Sequence, residues 1–439
     1  MGQKGNLFSD LKKALDSTFV SAKPAQERIG IEGWFPYYAG YSAEFVEATL
    51  GALPIGPRHT VLDPWNGSGT TTAVADGLGF DGVGFDINPV AVLVASARLV
   101  RVKDAVHCEG LAKELLTVAD RSFEFVNSDP LSPWLSRRLR MRFRSIETAI
   151  YELLASRNGR KVDPLVDVLP PLASFMLLCL IRAAKRYIKT EQRSNPTWVS
   201  PEKAGDATSA RLDAAFMSMV KACALDVERS LLGARLRTTA SYSSHGDARA
   251  VPLDSDSVDA IVTSPPYCTR IDYFKATEFE LAAMGMSPES SEYRALRERA
   301  MGTNLCRAVD GFGMTTRSAK SVVLLLERIA GHSSKASEGY YFKHFSQYFT
   351  DAQLAVQEIH RVLKPGAAAV LVVQSSYYKE IPVSLGKLYV SMAKHAGLDA
   401  RIVRSVPVRK ILTSINSQAS KYLIDRSYTE DAVAFFKSD

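Results

Sequence analysis

Ser264-Pro265-Pro266-Tyr267 closes a short apolar run that begins at Asp259. Ala260 to Val262 read as the end of a buried strand. Two successive prolines stop it, because neither can donate to a ladder and each holds its own φ at about −65°. Pro266 also pushes Pro265 toward an extended conformation. The outcome is a stiff loop with a small hydroxyl before it and an aromatic ring after it. It sits at the carboxyl end of a strand, where open α/β sheets place their ligands. Pro-Pro is also an ordinary strand-ending turn, and the loop alone does not separate the two readings.

A second stretch does. His59-Thr-Val-Leu-Asp63 reads as a strand, Pro64-Trp65-Asn66-Gly67-Ser68-Gly69-Thr70-Thr71 as a glycine turn, and Thr70 onward as a helix. That is the start of a βαβ unit. The glycines allow a tight turn and close approach of a ligand to the backbone. The turn lacks the Gly-Lys-Ser/Thr of a P-loop and the third glycine of a dinucleotide fingerprint. The next strand, Asp81 to Asp86, ends in an acid about twenty residues on, where a doubly wound sheet sets a carboxylate against ribose hydroxyls. The plainer reading of Asp86 is the neighbour of a helix cap, since Asn88-Pro89 opens another helix. Upstream, Ser42 caps a helix over 43–50, preceded by the aromatic run that holds Tyr37, Tyr38 and Tyr41. Those rings are either packing or the wall of a ligand site.

Around these two stretches the elements fall into an interrupted α/β rhythm. Residues 1–32 read as a helical arm. The rhythm runs over 33–100 and resumes over 238–439, with a strand at 239–242, then His245-Gly246-Asp247, and the strand that feeds Ser264. A helix at 278–285 is followed by an irregular insertion over 286–347. A helix over 351–363 stops at Lys364-Pro365-Gly366, a strand spans 367–373, a helix 385–395, and two final strands cover 400–408 and 432–436. The segment 101–237 reads as helical and carries two basic runs: Arg137, Arg138, Arg140, Arg142 and Arg144, then Arg182, Lys185, Arg186, Lys189 and Arg193. Such runs are either a solvated helix face or a contact to a polyanion.

The 439 residues are 46% apolar and 23% charged, an ordinary globular balance that argues against disorder. A net charge of +7 permits an acidic partner without requiring one. The five cysteines form no Cys-x-x-Cys pair, so neither a zinc site nor a disulfide framework is expected, no metal is called for, and a reducing compartment fits. The amino terminus has no apolar signal core, and the most apolar run, 169–181, is too short to cross a bilayer. The expectation is a soluble cytosolic protein with no membrane contact.

Together, Asp63-Pro-Trp-Asn-Gly-Ser-Gly-Thr-Thr71 and Thr263-Ser-Pro-Pro-Tyr267 resemble the motifs of the amino-group DNA methyltransferases, which transfer a methyl from S-adenosylmethionine to cytosine N4 or adenine N6. The resemblance implies an α/β fold, a Rossmann-like class I methyltransferase sheet that is mostly parallel with its last strand antiparallel, carrying helical insertions. It implies S-adenosylmethionine as cofactor, held by Asp63, Trp65, Asn66, Gly67, Ser68, Gly69 and Thr70, with Asp86 on the ribose, Asp247 on the adenine amino group and Tyr38 (or Tyr37 or Tyr41) over the methionine end. Ser264 and the carbonyl of Pro265 would accept hydrogen bonds from the target amine on the Pro265-Pro266 frame, and Tyr267 would stack on a base flipped out of double-stranded DNA. Trp65 stands where the family usually has Phe, and the cofactor loop precedes Ser-Pro-Pro-Tyr, the reverse of many relatives. The length of 101–237 points to target recognition there, with Arg137, Arg138, Arg140, Arg142, Lys185, Arg186 and Lys189 as DNA contacts. Ser at the first motif position favours cytosine N4 over adenine N6. An RNA base methyltransferase and a non-catalytic DNA-binding protein are the alternatives, and a cognate restriction or defence protein is an implied partner.

Overall fold

The computed structural model describes residues 2–16, 30–35, 41–120, 128–156, 162–191, 198–230, 239–268, 272–303, 305, 319–408 and 427–438. Seven strands form one sheet: β1 (Thr60–Asp63), β2 (Asp81–Asp86), β3 (Tyr242–His245), β4 (Val258–Thr263), β5 (Leu363–Gln374), β6 (Asp399–Val408) and β7 (Tyr428–Phe436). Their order is β6-β7-β5-β4-β1-β2-β3. Strands β3, β2, β1, β4 and β5 pair in parallel, and β7 runs antiparallel between β5 and β6. This is the mostly parallel, Rossmann-like sheet expected from the sequence. The chain moves outward from β1 through β2 to β3 and returns to β4 on the other side of β1. That reversal is the switch point at which open α/β sheets bind ligands, and it brings Asp63 and Thr263, the last residues of β1 and β4, to one edge.

Alternation along the strands sends side chains to two layers. Val61, Ala260, Val262, Val370 and Val372 pack under α1 (Gly2–Asp16), α2 (Ala43–Ala52) and α3 (Thr70–Leu78). Leu62, Ile261, Leu371 and Val373 pack on the opposite side, which is covered by α10 (Lys320–Ala330), α11 (Phe342–Val362) and α12 (Leu385–His395). A third core joins α4 (Pro89–Ala97) to the long insertion, whose principal helices are α5 (Cys108–Ala119), α6 (Arg137–Leu154), α7 (Pro171–Lys185) and α8 (Ser209–Arg229). Helix α4 is buried along its whole length, so it cannot face solvent on any side and needs the insertion as its cover.

Several elements depart from expectation for identifiable reasons. The first helix is no free arm: Leu7, Leu11 and Leu15 recur at one helical face and dock into the sheet layer. Residues 286–347 are not irregular, since α9 (Ser291–Arg299), α10 and the start of α11 occupy them among the described residues. Helix α11 begins at Phe342 rather than 351 because its polar first turns are buried, His344, Ser346 and Gln347 included. The helix stops before Lys364-Pro365-Gly366 as expected, but those residues already belong to β5, which starts at Leu363 rather than 367, with Gly366 at φ 78° where the pairing to β4 shifts register. Strand β3 starts at Tyr242, not 239, and β7 starts at Tyr428, four residues before the expected 432.

Candidate active site

The carboxyl ends of β1, β2, β3 and β4 open into one cleft of about 900 Å³, counting its mouth. It is lined by Asp63, Trp65, Asn66, Gly67, Ser68 and Thr70 of the glycine turn, by Asp86 and Asp247, and by Ser264 and Pro266. Most of the residues singled out by spacing therefore meet in one place.

The glycine turn is shaped from within. The Asn66 N–H donates to Phe85 O at 2.9 Å, and its side-chain amide donates to Ser243 Oγ at 3.1 Å. The amide fills the space above Gly84, where a Cβ would lie 2.1 Å from Asn66 Nδ2. Asn66 is thus a strut across β2 and β3. Gly69, at φ 82°, backs onto Ala95 of α4, and an added Cβ would come within 2.7 Å of it. Gly67 N–H donates to Asp86 Oδ2 and Asn88 N–H to Asp86 Oδ1, both at 2.9 Å. Burial pushes the Asp86 carboxyl up to about 6 despite those two donors. Asp86 thus braces the turn and the next helix start, and it lines the cleft.

Asp63 ties the two motifs together. It is 2% exposed and accepts from Thr263 Oγ1 at 2.6 Å, Trp65 N at 3.1 Å and Tyr41 Oη at 2.8 Å. Burial raises its pKa against the pull of these donors. Tyr41 reaches on to Thr71 and to Val262 O at 3.2 Å. Tyr41 lines the cleft, whereas Tyr37 and Tyr38 lie outside the described residues.

Asp247 is already engaged. Arg249 forks onto it through Nη2 at 2.7 Å and Nε at 2.9 Å, Arg299 Nη2 stands 3.4 Å away, and Arg249 Nη1 reaches Asp351 at 2.7 Å. Burial works against the Asp247 charge, and the Arg249 hydrogen bonds outweigh it and hold the carboxyl below its usual range. Spacing gave no sign of these partners.

The Ser-Pro-Pro-Tyr loop is braced from distant segments. Ser264 Oγ donates to Val372 O of β5 at 3.1 Å, and Tyr348 Oη of α11 donates to Pro266 O at 2.8 Å. Gly302, at φ 75°, passes so close that a Cβ would lie 2.8 Å from Tyr267 O. Pro265 is buried beneath the loop. Burial raises the Tyr267 phenol, with the nearby Glu430 adding to the shift. Tyr273 and Phe274 close the cleft beside Pro266. The sequence offered no signal for Tyr348, Gly302 or Tyr273.

The basic runs do not form one open face. Arg142 is forked by Asp213 and also reaches Asp120, and Arg144 pairs with Asp129 and Glu147 while donating to the carbonyls of Ala282 and Ala283. Lys185 pairs with Glu280 at 2.5 Å, and Arg182 donates to Cys223 Sγ at 2.8 Å. These groups fasten the insertion to itself and to the segment after Tyr267. Arg140 is half-buried, and Arg137, Arg138, Arg186 and Lys189 remain exposed. Arg193 lies outside the described residues. Among the described residues no cluster of His, Cys, Asp or Glu could hold a metal ion, and no helix is long and apolar enough to cross a membrane.

No family model matches the chain. It is 21% identical over 448 residues to the Type II methyltransferase M.BsoBI of Geobacillus stearothermophilus, covering 91% of this chain and 84% of that protein. It is 20% identical over 408 residues to the Type II methyltransferase M.AvaI of Nostoc sp. (strain PCC 7120), covering 86% and 81%. The similarity to methyltransferases is borne out and runs far beyond the two motifs. Among solved structures, the arsenic(III) S-adenosylmethionine methyltransferase CrArsM of Chlamydomonas reinhardtii aligns at 10% identity and a TM-score of 0.32, over 98% of this chain and 74% of that one, a likeness too slight to add to the strand order.

Proposed function

We propose that this chain is an S-adenosylmethionine-dependent DNA methyltransferase of the Type II kind, acting on an exocyclic amino group, cytosine N4 in preference to adenine N6. The observation that carries the reading is the cleft itself, in which a glycine turn, two strand-end acids and the Ser264-Pro265-Pro266 loop share one wall through the Thr263–Asp63 hydrogen bond. The relatives' descriptions support the class of reaction.

The cleft fits the cofactor by its donor set. Asp86 offers oxygens for hydroxyls, and Gly67, Ser68 and Thr70 of the glycine turn line the cleft beside it. S-adenosylmethionine supplies a methyl on a sulfonium, which is a good leaving group. The remaining work belongs to the chain. An exocyclic amine is a poor nucleophile because its lone pair is delocalised into the ring. Acceptors at Ser264 Oγ and Pro265 O draw its hydrogens out of the ring plane and free that pair. A rigid loop suits the task, since alignment of reacting atoms is worth roughly 7–11 kcal/mol of barrier. Tyr267 replaces part of the stacking lost when the base leaves the duplex.

Base-by-base mapping of modification in a host expressing the protein tests the reading. N4-methylcytosine at one sequence motif is the expected result. N6-methyladenine would move the target to adenine, and methylated tRNA with unmodified DNA would overturn the DNA assignment. The exposed Arg137, Arg138, Arg186 and Lys189 are proposed as phosphate contacts. Charge reversal at Arg137 and Arg138 should lower DNA affinity and flatten its salt dependence, and an unchanged slope removes them from the interface.

A further inference from the structure

Strand β7, last in the chain, runs antiparallel to β5, so its first residues return to the same edge as the carboxyl ends of β1, β4 and β5. Glu430 is third in that strand. It pairs in register with Gln374, two residues beyond Val372, whose carbonyl receives Ser264 Oγ. It shares strand parity with Ala432 and Ala434, which pack in one layer with Val262 and Val372. The acid therefore stands one strand beyond β5 from Ser264, just past the Ser264 rung.

Its environment is unusual for a carboxyl. Glu430 is 4% exposed, and among the described residues its Oε1 has no hydrogen-bond partner. Among the described residues no lysine or arginine forms an ion pair with it. The charged and titratable groups around it are Asp431 on its own strand, Tyr267 from the catalytic loop and Arg404 one rung along on β6, while β5 opposes it with the neutral Gln374. Burial and the Asp431 charge push its pKa up to about 7. A buried acid with a free oxygen and no cation is costly to a fold, and such groups cluster where a proton must move.

We propose that Glu430 is the proton acceptor for the target amine. The proposal rests on the reading of the cleft as an amino-group methyltransferase site. The amine nitrogen donates its lone pair to the methyl carbon as the carbon–sulfur bond breaks and leaves its electron pair on sulfur. The nitrogen then bears one proton too many. That N–H bond breaks, its electron pair returns to nitrogen, and the proton passes to Glu430 Oε1, to be released to water after the methylated base leaves. Ser264 and Pro265 O orient the amine but are poor proton sinks, whereas a carboxylate tuned near neutrality is well matched to the step.

The test compares wild type with Glu430→Gln, which keeps the shape and removes the base, and with Glu430→Asp. Single-turnover methyl transfer to DNA is followed against pH, together with cofactor and DNA binding. Infrared difference spectra of the cofactor-free protein report the protonated carboxyl directly. Wild type should gain rate as pH rises through about 7, with a protonated-carboxyl band that fades over the same range. Glu430→Gln should lose that band, lose the pH limb, fall roughly 10²-fold in rate at pH 8, and keep both binding constants. Glu430→Asp should recover part of the rate and a displaced limb. A Glu430→Gln enzyme with full rate and an unchanged limb overturns the proposal and leaves the function standing. A wild-type protein that methylates no DNA brings down the function itself, and that failure shows before any variant is made.

Discussion

The two loops of the cleft solve the same problem, fixing backbone at a strand end, by opposite means. The glycine turn is held mostly by near neighbours, Asn66 over Gly84, Gly67 on Asp86 and Gly69 on Ala95, with the Asn66 amide also reaching Ser243 on β3. The Ser-Pro-Pro-Tyr loop is stiff by composition, but its position comes from far along the chain, through Val372, Tyr348 and Gly302. A locally encoded loop can be recognised from its residues alone. A loop placed from outside can be recognised too, yet the groups that place it leave no mark near it.

That contrast can be broken most sharply at Ser264. Ser264→Ala should reduce single-turnover methyl transfer by roughly 10²–10³-fold, the scale seen when one positioned hydrogen-bonding group is removed from a reacting centre. Cofactor affinity measured by calorimetry should not change. Retained turnover would mean that the amine is not oriented here. On the other loop, Asp86→Ala should weaken cofactor binding by about 10–100-fold, as expected for a hydrogen bond to a charged group.

The same residue gives a pH signature. With its pKa near 6, Asp86 is ionised and accepting above that value, so affinity should fall as pH drops through 6, and Asp86→Asn should abolish the slope. The stability linkage has the opposite sign. A raised carboxyl pKa means the folded chain holds that proton more tightly than the unfolded one, so the contribution of Asp86 to stability declines as pH rises toward 6. The smallest effect belongs to the outer brace. Tyr348→Phe should cost about 0.5–1.5 kcal/mol, a few-fold in turnover, with cofactor binding untouched. A matching loss in cofactor affinity would show that the two loops are not independently held.

Legibility in the sequence followed the same divide. Strand β2 and helix α12 lie where periodicity and caps put them. Residues 63–70, Asp86 and Ser264 could be named from type and spacing because the turn, the strand end and the prolines are short-range devices. The start of β7 was hidden because Glu430 and Asp431 read as loop, although both are buried. Only the tertiary placement of an antiparallel last strand shows an acid among strand residues to be enclosed. The basic runs misled for a related reason. Charge is visible in sequence, but Asp213 on Arg142, Asp129 on Arg144 and Glu280 on Lys185 come from elsewhere in the chain, and Glu147 alone stands one helical turn from its partner Arg144.

The shared core of α4 and the insertion has a consequence for how this protein can change. Val90, Leu93, Val94 and Ala97 contribute to the same cluster as Phe143, Phe175, Phe216 and Phe279. Residues 101–237 are therefore no cassette. Excising them would strip the cover from the helix that backs Gly69, and the glycine turn would loosen with it. Change within the insertion is confined to exposed positions such as Arg137 and Arg138, one side chain at a time, while the buried half of each helix is kept.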